Sequence, residues 1–561
     1  MTGLDPELDA RLEDRYAAIL GGQLPAVTEA LGLLGDRESP LTSAWHAAIG
    51  AAAWMLDPEG SPEPSLAVIE ALLGAEPRAR ELAAQALTHL ERHALVSFDV
   101  ARLQRLVGLH ERLLSGVSPD EAAGLWLEAA RCWLLLARGQ VTGLEERAQA
   151  LEKRALASRI APLVIDASVQ QALAATLSGG VENAIAVARR ASRMARTEAL
   201  PQQEFLANLA LARARRLSRH AHLSIRILTT LERVIVPHFD GWLSWELLMA
   251  GDVEVSATLL ARSPADPRAL EASRALLALE QAALAGERAE FERAAKLLLD
   301  RTRGMALVER EAGLVLAALD YRVDLPQGSP ELARFCSGRD PLPPPELHGL
   351  CLRAERRSPA ADEIAEAYVL SRPGVAPRRV LGLGVKLVDL PGTLRLALTR
   401  RHQARVEIMS AVLAAAGPEG IGYVEGFEQA YELAYEPELH RGAFEVLLHR
   451  VRGHLESVAD LERNDRVLRI VPRVPLLIPD PRCTRHVHDR LLRVLARQGR
   501  ATAVGAAQEV GLSLRAVQGA LKALIEEGVC VSAKEGRQVI YFVEDTTFSE
   551  PTQRLAFRRA Q

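Results

Sequence analysis

Apolar residues in the first three-fifths of the chain recur at helical spacing, with Leu and Ala on one face and Arg and Glu on the other. Glycines interrupt the pattern in "LARGQVTGLEERAQAL" at Gly139, "LSGGVENAIAVARRA" at Gly180, "LMAGDVEVSATLLAR" at Gly251 and "ALAGERAEFERAAKLL" at Gly286. Between the second and third of these, "ARARRLSRHAHLSIRILTTL" keeps the rhythm, with Arg219 where the turn falls. The steps from 139 to 180, 219, 251 and 286 are 41, 39, 32 and 35 residues, the period of stacked helix pairs. Such a pair cannot bury its apolar face alone, so each is expected to stack on the next. In "WLEAARCWLLLARG", Ala129 and Ala130 sit where helices approach closely, and Trp126 and Trp133 are expected in the core.

The helical rhythm stops near residue 335. In "SGRDPLPPPELHG", Pro343 to Pro345 cannot continue a helix, and "SRPGVAPRRV" follows further on, so 336–379 reads as a linker. Residues 380–482 mix short strand-like runs with helical ones and end in β-branched "RVLRIVPRVPLLI". A last unit spans 484–545, and 546–561 reads as a tail.

In the last unit, Leu491, Leu492 and Leu495 make one apolar stripe, and Thr502 can cap a second helix, "AVGAAQEV". Gly511 then turns the chain and Ser513 is a good cap for a third helix. Val517, Leu521 and Leu524 fall on its inner face, while Arg515, Gln518 and Lys522 share a neighbouring one. Gly528 ends that helix, and "VCVS" and "QVIYFV" flank the turn "AKEGR", with Gly536 in the bend.

This order resembles the winged helix-turn-helix of bacterial MarR, GntR and IclR regulators. "GLSLRAVQGALKALIEEG" follows their G-L-S-x-x-T-V-x-x-x-L-x-x-L-x-x-x-G pattern, with Ala516 in place of Thr. The resemblance implies a third helix in the DNA major groove and a hairpin on the backbone or minor groove. Arg515 and Gln518 would then read base edges, and Lys522, Lys534 and Arg537 would meet phosphates, with Ser513 at the helix start. Residues 484 to 543 carry nine Lys and Arg against five Asp and Glu, so the unit is locally basic.

Residues 380–482 resemble, more loosely, the OmpR/PhoB-type effector domain. "LTRRHQARVEIM", "YELAYEPE" and "RGAFEVLLHRVRGHL" stand where that family has its first helix, the segment before its recognition helix, and that helix itself. The likeness implies that His440, Arg441, His449, Arg450 and Arg452 lie on or near a DNA-facing helix. The family's closing G-Y-x-L hairpin is absent, and Pro472 and Pro475 stand there instead. The first 335 residues resemble tetratricopeptide repeats in spacing and small-residue pattern, without the full signature.

Composition narrows the functional classes. The chain has 561 residues, 48% hydrophobic and 25% charged, which is globular and too long for one core. Aromatics are only 4%, so Leu, Ala and Val must fill the cores, and a net charge of -4 requires any basic face to be local. Cys132, Cys336, Cys351, Cys483 and Cys530 form no C-x-x-C pair, which fits a reducing compartment. The opening "MTGLDPELDARLEDRY" is not a signal peptide, and no uncharged apolar run reaches the ~20 residues of a membrane helix.

The chemistry of enzymes is not legible. "GLGVK" (Gly382 to Lys386) lacks the spacing of a phosphate loop, and no H-E-x-x-H or G-x-S-x-G occurs. Cys483, His486 and His488 lie close together but lack a fourth ligand, and the "RHAH" stretch from Arg219 to His222 reads as a solvated helix end. The expected fold is thus mainly α: a tetratricopeptide-like solenoid followed by one or two α+β winged-helix domains. The expected role is a cytoplasmic DNA-binding transcriptional regulator, not an enzyme, with no cofactor or metal. Its partners would be double-stranded DNA, a protein, peptide or small ligand at the repeat groove, and a second copy in a homodimer, with no membrane. The alternative is a scaffold subunit whose winged helix meets protein instead of nucleic acid.

Overall fold

The computed structural model describes residues 5–319, 321, 330–332, 343–350, 366–381, 394–396 and 404–543, except 36, 119–120, 235, 264–267, 286, 376, 465–466 and 483–486. The chain is mainly helical, and no helix among the described residues is long and apolar enough to cross a membrane.

Helices α1 (Pro6–Leu20), α2 (Pro25–Leu34), α3 (Pro40–Leu56) and the short α4 (Leu66–Glu70) open the chain. There follow α5 (Pro77–Val96), α6 (Val100–Leu113), α7 (Ala122–Ala137), α8 (Leu144–Ala157), α9 (Ala161–Ser178) and α10 (Val181–Thr197). The helical part is completed by α11 (Pro201–Leu217), α12 (Ala221–Glu232), α13 (Asp240–Met249), α14 (Val253–Arg262), α15 (Arg268–Ala285), α16 (Arg288–Thr302) and α17 (Ala306–Ala318).

Consecutive helices from α7 to α12 pack side by side. The left-handed residues between them, Gly139, Arg159, Gly179, Ala199 and Arg219, stand 20 residues apart, so the unit of construction is one helix and one turn. Glycine marks only some of these turns. Arg159, Ala199 and Arg219 hold the left-handed conformation with a side chain, at a cost of about 1–2 kcal/mol each. Gly180 itself precedes α10, and the turn falls on Gly179. Gly286 lies outside the described residues.

Burial separates the helices into two layers. In α8 only Leu144, Ala148, Leu151 and Ala155 are buried, a single stripe at helical spacing. In α9 every residue from Ala161 to Ala175 is buried, and in α11 every one from Phe205 to Ala214. Trp126 and Trp133 are buried as their setting in α7 requires. The open groove expected along the inner helices is therefore filled. The array turns back on itself: a Cβ at Gly139 would meet the Ala306 Cβ at 2.7 Å, which puts α17 directly on the α7–α8 turn. The end of α1 lies in the same way against Ala199 and Pro201.

The middle unit contains β1 (Glu366–Leu370), β2 (Arg378–Leu381), β3 (Leu394–Arg395), α18 (Ala404–Ala416), β4 (Ile421–Gly422), α19 (Tyr423–Tyr431) and α20 (Pro437–Leu455). A hairpin of β5 (Ala459–Asn464) and β6 (Val467–Pro472) follows, then β7 (Leu476–Pro479). β1 pairs with β2 and with β7, both antiparallel, and β3 joins β7 in parallel. Strand β1 and the start of β2 thus lie inside the segment 336–379 read as a linker. The prolines and glycine of "SRPGVAPRRV" form the turn between two paired strands and do not mark a boundary. Pro475 sits just before β7, where no ladder hydrogen bond is lost.

The last unit contains α21 (Val487–Gln498), β8 (Ala501–Thr502), α22 (Ala503–Val510), α23 (Leu514–Glu526), β9 (Val531–Glu535) and β10 (Gln538–Phe542). Its sheet runs β8-β10-β9; the middle unit has two sheets, β2-β1-β7-β3 and β4-β6-β5. Each unit has a core of its own, around Phe444 and Leu468 in one and around Leu491, Leu521 and Leu524 in the other.

Candidate nucleic-acid interface

The local sequence of the last unit fixes α23 by its ends. Thr502 accepts from the Gly505 N–H at 3.1 Å to start α22, and Gly511 closes that helix in the left-handed region. Ser513 then accepts from the Ala516 N–H at 3.3 Å, so its hydroxyl is a helix cap. Val517, Leu521 and Leu524 are buried against α21 and α22. That burial turns Arg515, Gln518 and Lys522 outward, and all three are exposed. Lys534 on β9 and Arg537 in the hairpin turn are exposed as well. Lys522 lies 3.7 Å from Glu526 on the same helix, a solvated pair of little energetic weight.

The basic excess of this unit does not all face outward. Arg490 is buried and donates to the Val510 carbonyl inside the unit. Arg493 is buried too, donating to the Ala250 carbonyl at 2.7 Å and the Gly349 carbonyl at 3.1 Å. The Asp489 carboxylate, one turn earlier, accepts from Arg493 at 2.7 Å. Arg497 donates to Asp252 at 3.1 Å. Helix α21 is thereby docked on α12 and on the turn after α13. A Cβ at Gly349 would collide with the Met249 carbonyl, so only glycine lets that strand of chain approach. Sequence reasoning missed this contact because Arg493 and Arg497 look like ordinary exposed helix charges. His222, read as part of a solvated helix end, is buried at the same seam, and burial holds it down to about 4.

In the middle unit the expected residues divide. His440 stacks on Phe427 at 4.8 Å, and its Nδ1 accepts from the Glu436 N–H at 2.9 Å, so it braces the start of α20. Arg441, His449, Arg450 and Arg452 are exposed. The outward face that carries Arg450 also carries Leu439, 70% exposed, and Val446, 51% exposed. The hairpin cations are neutralised: Arg463 pairs with Glu445 at 2.8 Å, Arg469 donates to Glu462 at 2.7 Å and Arg473 to Asp460 at 2.8 Å. Cys483 and His486 lie outside the described residues, and no group of three or more candidate metal ligands occurs among those described.

A second feature absent from the sequence reading is a buried charge network in the helical part. Arg213 and Arg216 of α11, Glu246 of α13 and Glu311 of α17 are all buried, with Arg216 2.9 Å from Glu246 and 2.7 Å from Glu311. Burial alone would raise the Glu246 carboxyl, but Arg216 and Arg213 pull it below its ordinary value. Trp245 donates to Glu311 at 2.8 Å. The signal was a carboxylate inside the apolar run "GWLSWELLM". A buried charge persists only when paired and hydrogen-bonded.

Comparison with known proteins gives no match, whether to protein-family models, to curated proteins or to solved structures.

Proposed function

We propose that the chain is a cytoplasmic DNA-binding transcriptional regulator, in which a tetratricopeptide-like solenoid carries a winged helix-turn-helix at its carboxy end. The observation that carries the reading is the division of α23: Val517, Leu521 and Leu524 buried, and Arg515, Gln518 and Lys522 exposed in the whole chain. A two-sided helix of this kind, followed by a hairpin with exposed Lys534 and Arg537, offers base-reading donors and phosphate contacts. The solenoid meets α21, and Arg515, Gln518 and Lys522 of α23 stay exposed with that docking in place.

The test is selection of duplexes from a random pool by the full chain, followed by fluorescence anisotropy at several salt concentrations. A recurrent sequence with salt-dependent affinity is expected. Retention of no duplex at low salt would overturn the reading.

A second reading applies to the middle unit alone. Exposed Leu439 and Val446 on α20, with Leu433 and Val424 nearby in sequence, favour protein contact there over DNA contact. In that case the middle unit is the scaffold-like part of a regulator whose last unit meets DNA.

A further inference from the structure

Helix α20 is covered on one side only. Phe444, Leu447, Leu448, Val451 and Leu455 are buried in the core of the middle unit. The opposite face carries Leu439, 70% exposed, and Val446, 51% exposed. Gly442, Ala443, Arg450 and Gly453 stand on the same face, and all four are exposed. The run from Leu439 through Gly442 or Ala443 and Val446 to Arg450 and Gly453 steps by three or four residues, the spacing of a seam that meets another helix. A Cβ placed on Gly442 or on Gly453 would meet nothing within 4 Å, so the space over both is open.

Two properties of this face single out its occupant. The first is size. Leu439 and Gly453 lie seven residues to either side of Val446, and Gly442 and Arg450 lie four to either side. An antiparallel copy of the same helix, related by a two-fold axis at Val446, sets each long side chain over a glycine. Leu439 then lies on the partner's Gly453, Arg450 on the partner's Gly442, and Val446 on the partner's Val446.

The second property is charge. Glu436 and Glu438 stand exposed at the start of α20, and His449, Arg450 and Arg452 stand exposed toward its end. Glu438, Arg450 and Arg452 form no ion pair among the described residues. Antiparallel pairing brings the acidic start of each helix against the basic end of the other, with the helix dipoles opposed. A parallel partner would set like ends together, and a nucleic acid would meet the two glutamates with its own sign of charge. Glu445, near the axis, is already matched by Arg463 at 2.8 Å.

We infer that this face joins two copies of the chain through an antiparallel pair of α20 helices, with Glu438 of each copy reaching the other's Arg450. The inference rests on the protein-facing reading of the middle unit and narrows it to one partner. A single pair of helices about 28 Å long buries less than the ~1,200 Å² of a standard interface, so the dimer is weak and reversible.

Sedimentation velocity on the full chain without DNA, from about 1 to 300 µM, reads the association directly. A monomer–dimer equilibrium with a Kd of about 10–100 µM is expected, weaker at high salt. Val446→Glu sets two carboxylates together at the axis and is expected to weaken association about tenfold or more. Val446 is half exposed, so an unchanged melting curve will show that the variant folds. Glu438→Arg and Arg450→Glu each act twice by symmetry and are each expected to weaken association about tenfold. Mixed in equal amounts, these two variants are expected to associate with each other about as well as the wild type does, because each offers the charge the other lacks. Monomer at every concentration, wild-type association in Val446→Glu, or no recovery in the mixture would overturn the inference. The protein-facing reading fails separately, if Val446→Glu lowers affinity for a selected duplex at concentrations where the chain is monomeric.

Discussion

The middle and last units are built in the same order, helix, short strand, helix, helix, hairpin, and in both the short strand pairs with the second hairpin strand. Their third helices differ in degree in what they turn outward. In α23 Arg515, Gln518 and Lys522 stand outward beside Leu514, 41% exposed, and Ile525, 36% exposed; in α20 Leu439 and Val446 are more exposed still, beside Arg450. Their hairpins differ likewise. Arg463, Arg469 and Arg473 of the middle unit each face a carboxylate, whereas Lys534 and Arg537 form no ion pair among the described residues. One topology thus serves two surfaces of different chemistry. What separates them is the pairing of charges, not the count of Lys and Arg.

The largest effects test whether the two units fold separately. Phe444→Ala removes a fully buried ring from the middle core and is expected to cost about 3–5 kcal/mol. Leu521→Ala does the same to the last core, at about 2–5 kcal/mol. Hydrogen exchange should show each variant opening its own unit while the other stays protected. Joint opening in both variants would show that the cores act as one.

Docking comes next. Arg493→Ala leaves the Ala250 and Gly349 carbonyls without their donor, at about 1–3 kcal/mol for each group left unsatisfied. Faster exchange and proteolysis over α21 and α12 are expected, with no change in the middle unit. Acid should weaken the same seam. Burial holds His222 and His348 near 4, below their usual 6.5. Between those values the unfolded chain binds protons that the folded chain excludes. The contribution is full above about pH 6.5 and is lost as pH falls toward 4, by about 2 kcal/mol per histidine at pH 5. Thermal melts at pH 7 and 5 should show the loss, and His222→Gln should reduce it.

The smaller effects sharpen the contrast in surface chemistry. Arg515→Ala is expected to weaken DNA binding by about 1–3 kcal/mol and relax preference at particular base pairs, while Arg450→Ala leaves affinity unchanged. Lys522→Ala and Arg537→Ala should weaken binding to all duplexes and lower the salt slope by about one unit each. Loss of affinity in Arg450→Ala equal to that in Arg515→Ala would place DNA on both units.

How much of this was legible follows the range of the interactions. Periodicity reveals which face of a helix is apolar, so Val517, Leu521 and Leu524 were assigned inward, and Thr502 and Ser513 were assigned as caps, from spacing alone. These are contacts within a few residues of sequence, and local stereochemistry dictates them. The 20-residue turn was half visible, because Gly139 announces a left-handed position while Arg159 and Ala199 do not. The linker misreading has the same origin: a five-residue strand with two prolines after it, Glu366–Leu370, is identified only by its pairing with Leu476–Pro479 a hundred residues on.

By itself the sequence determined the helical class, the helix ends and the two-faced α23, because each rests on periodicity, capping and backbone preference close in the chain. Tertiary structure alone decided that α9 and α11 are covered on all sides, that Arg213 and Arg216 meet Glu246 and Glu311, and that Arg493 points into the helical part while Arg515 points to solvent. An arginine on a helix can reach solvent, a carboxylate or a distant carbonyl, and its own neighbours in sequence do not distinguish them. The choice is made by which groups the fold leaves buried without a partner, since that is where an unpaired charge or dipole costs most.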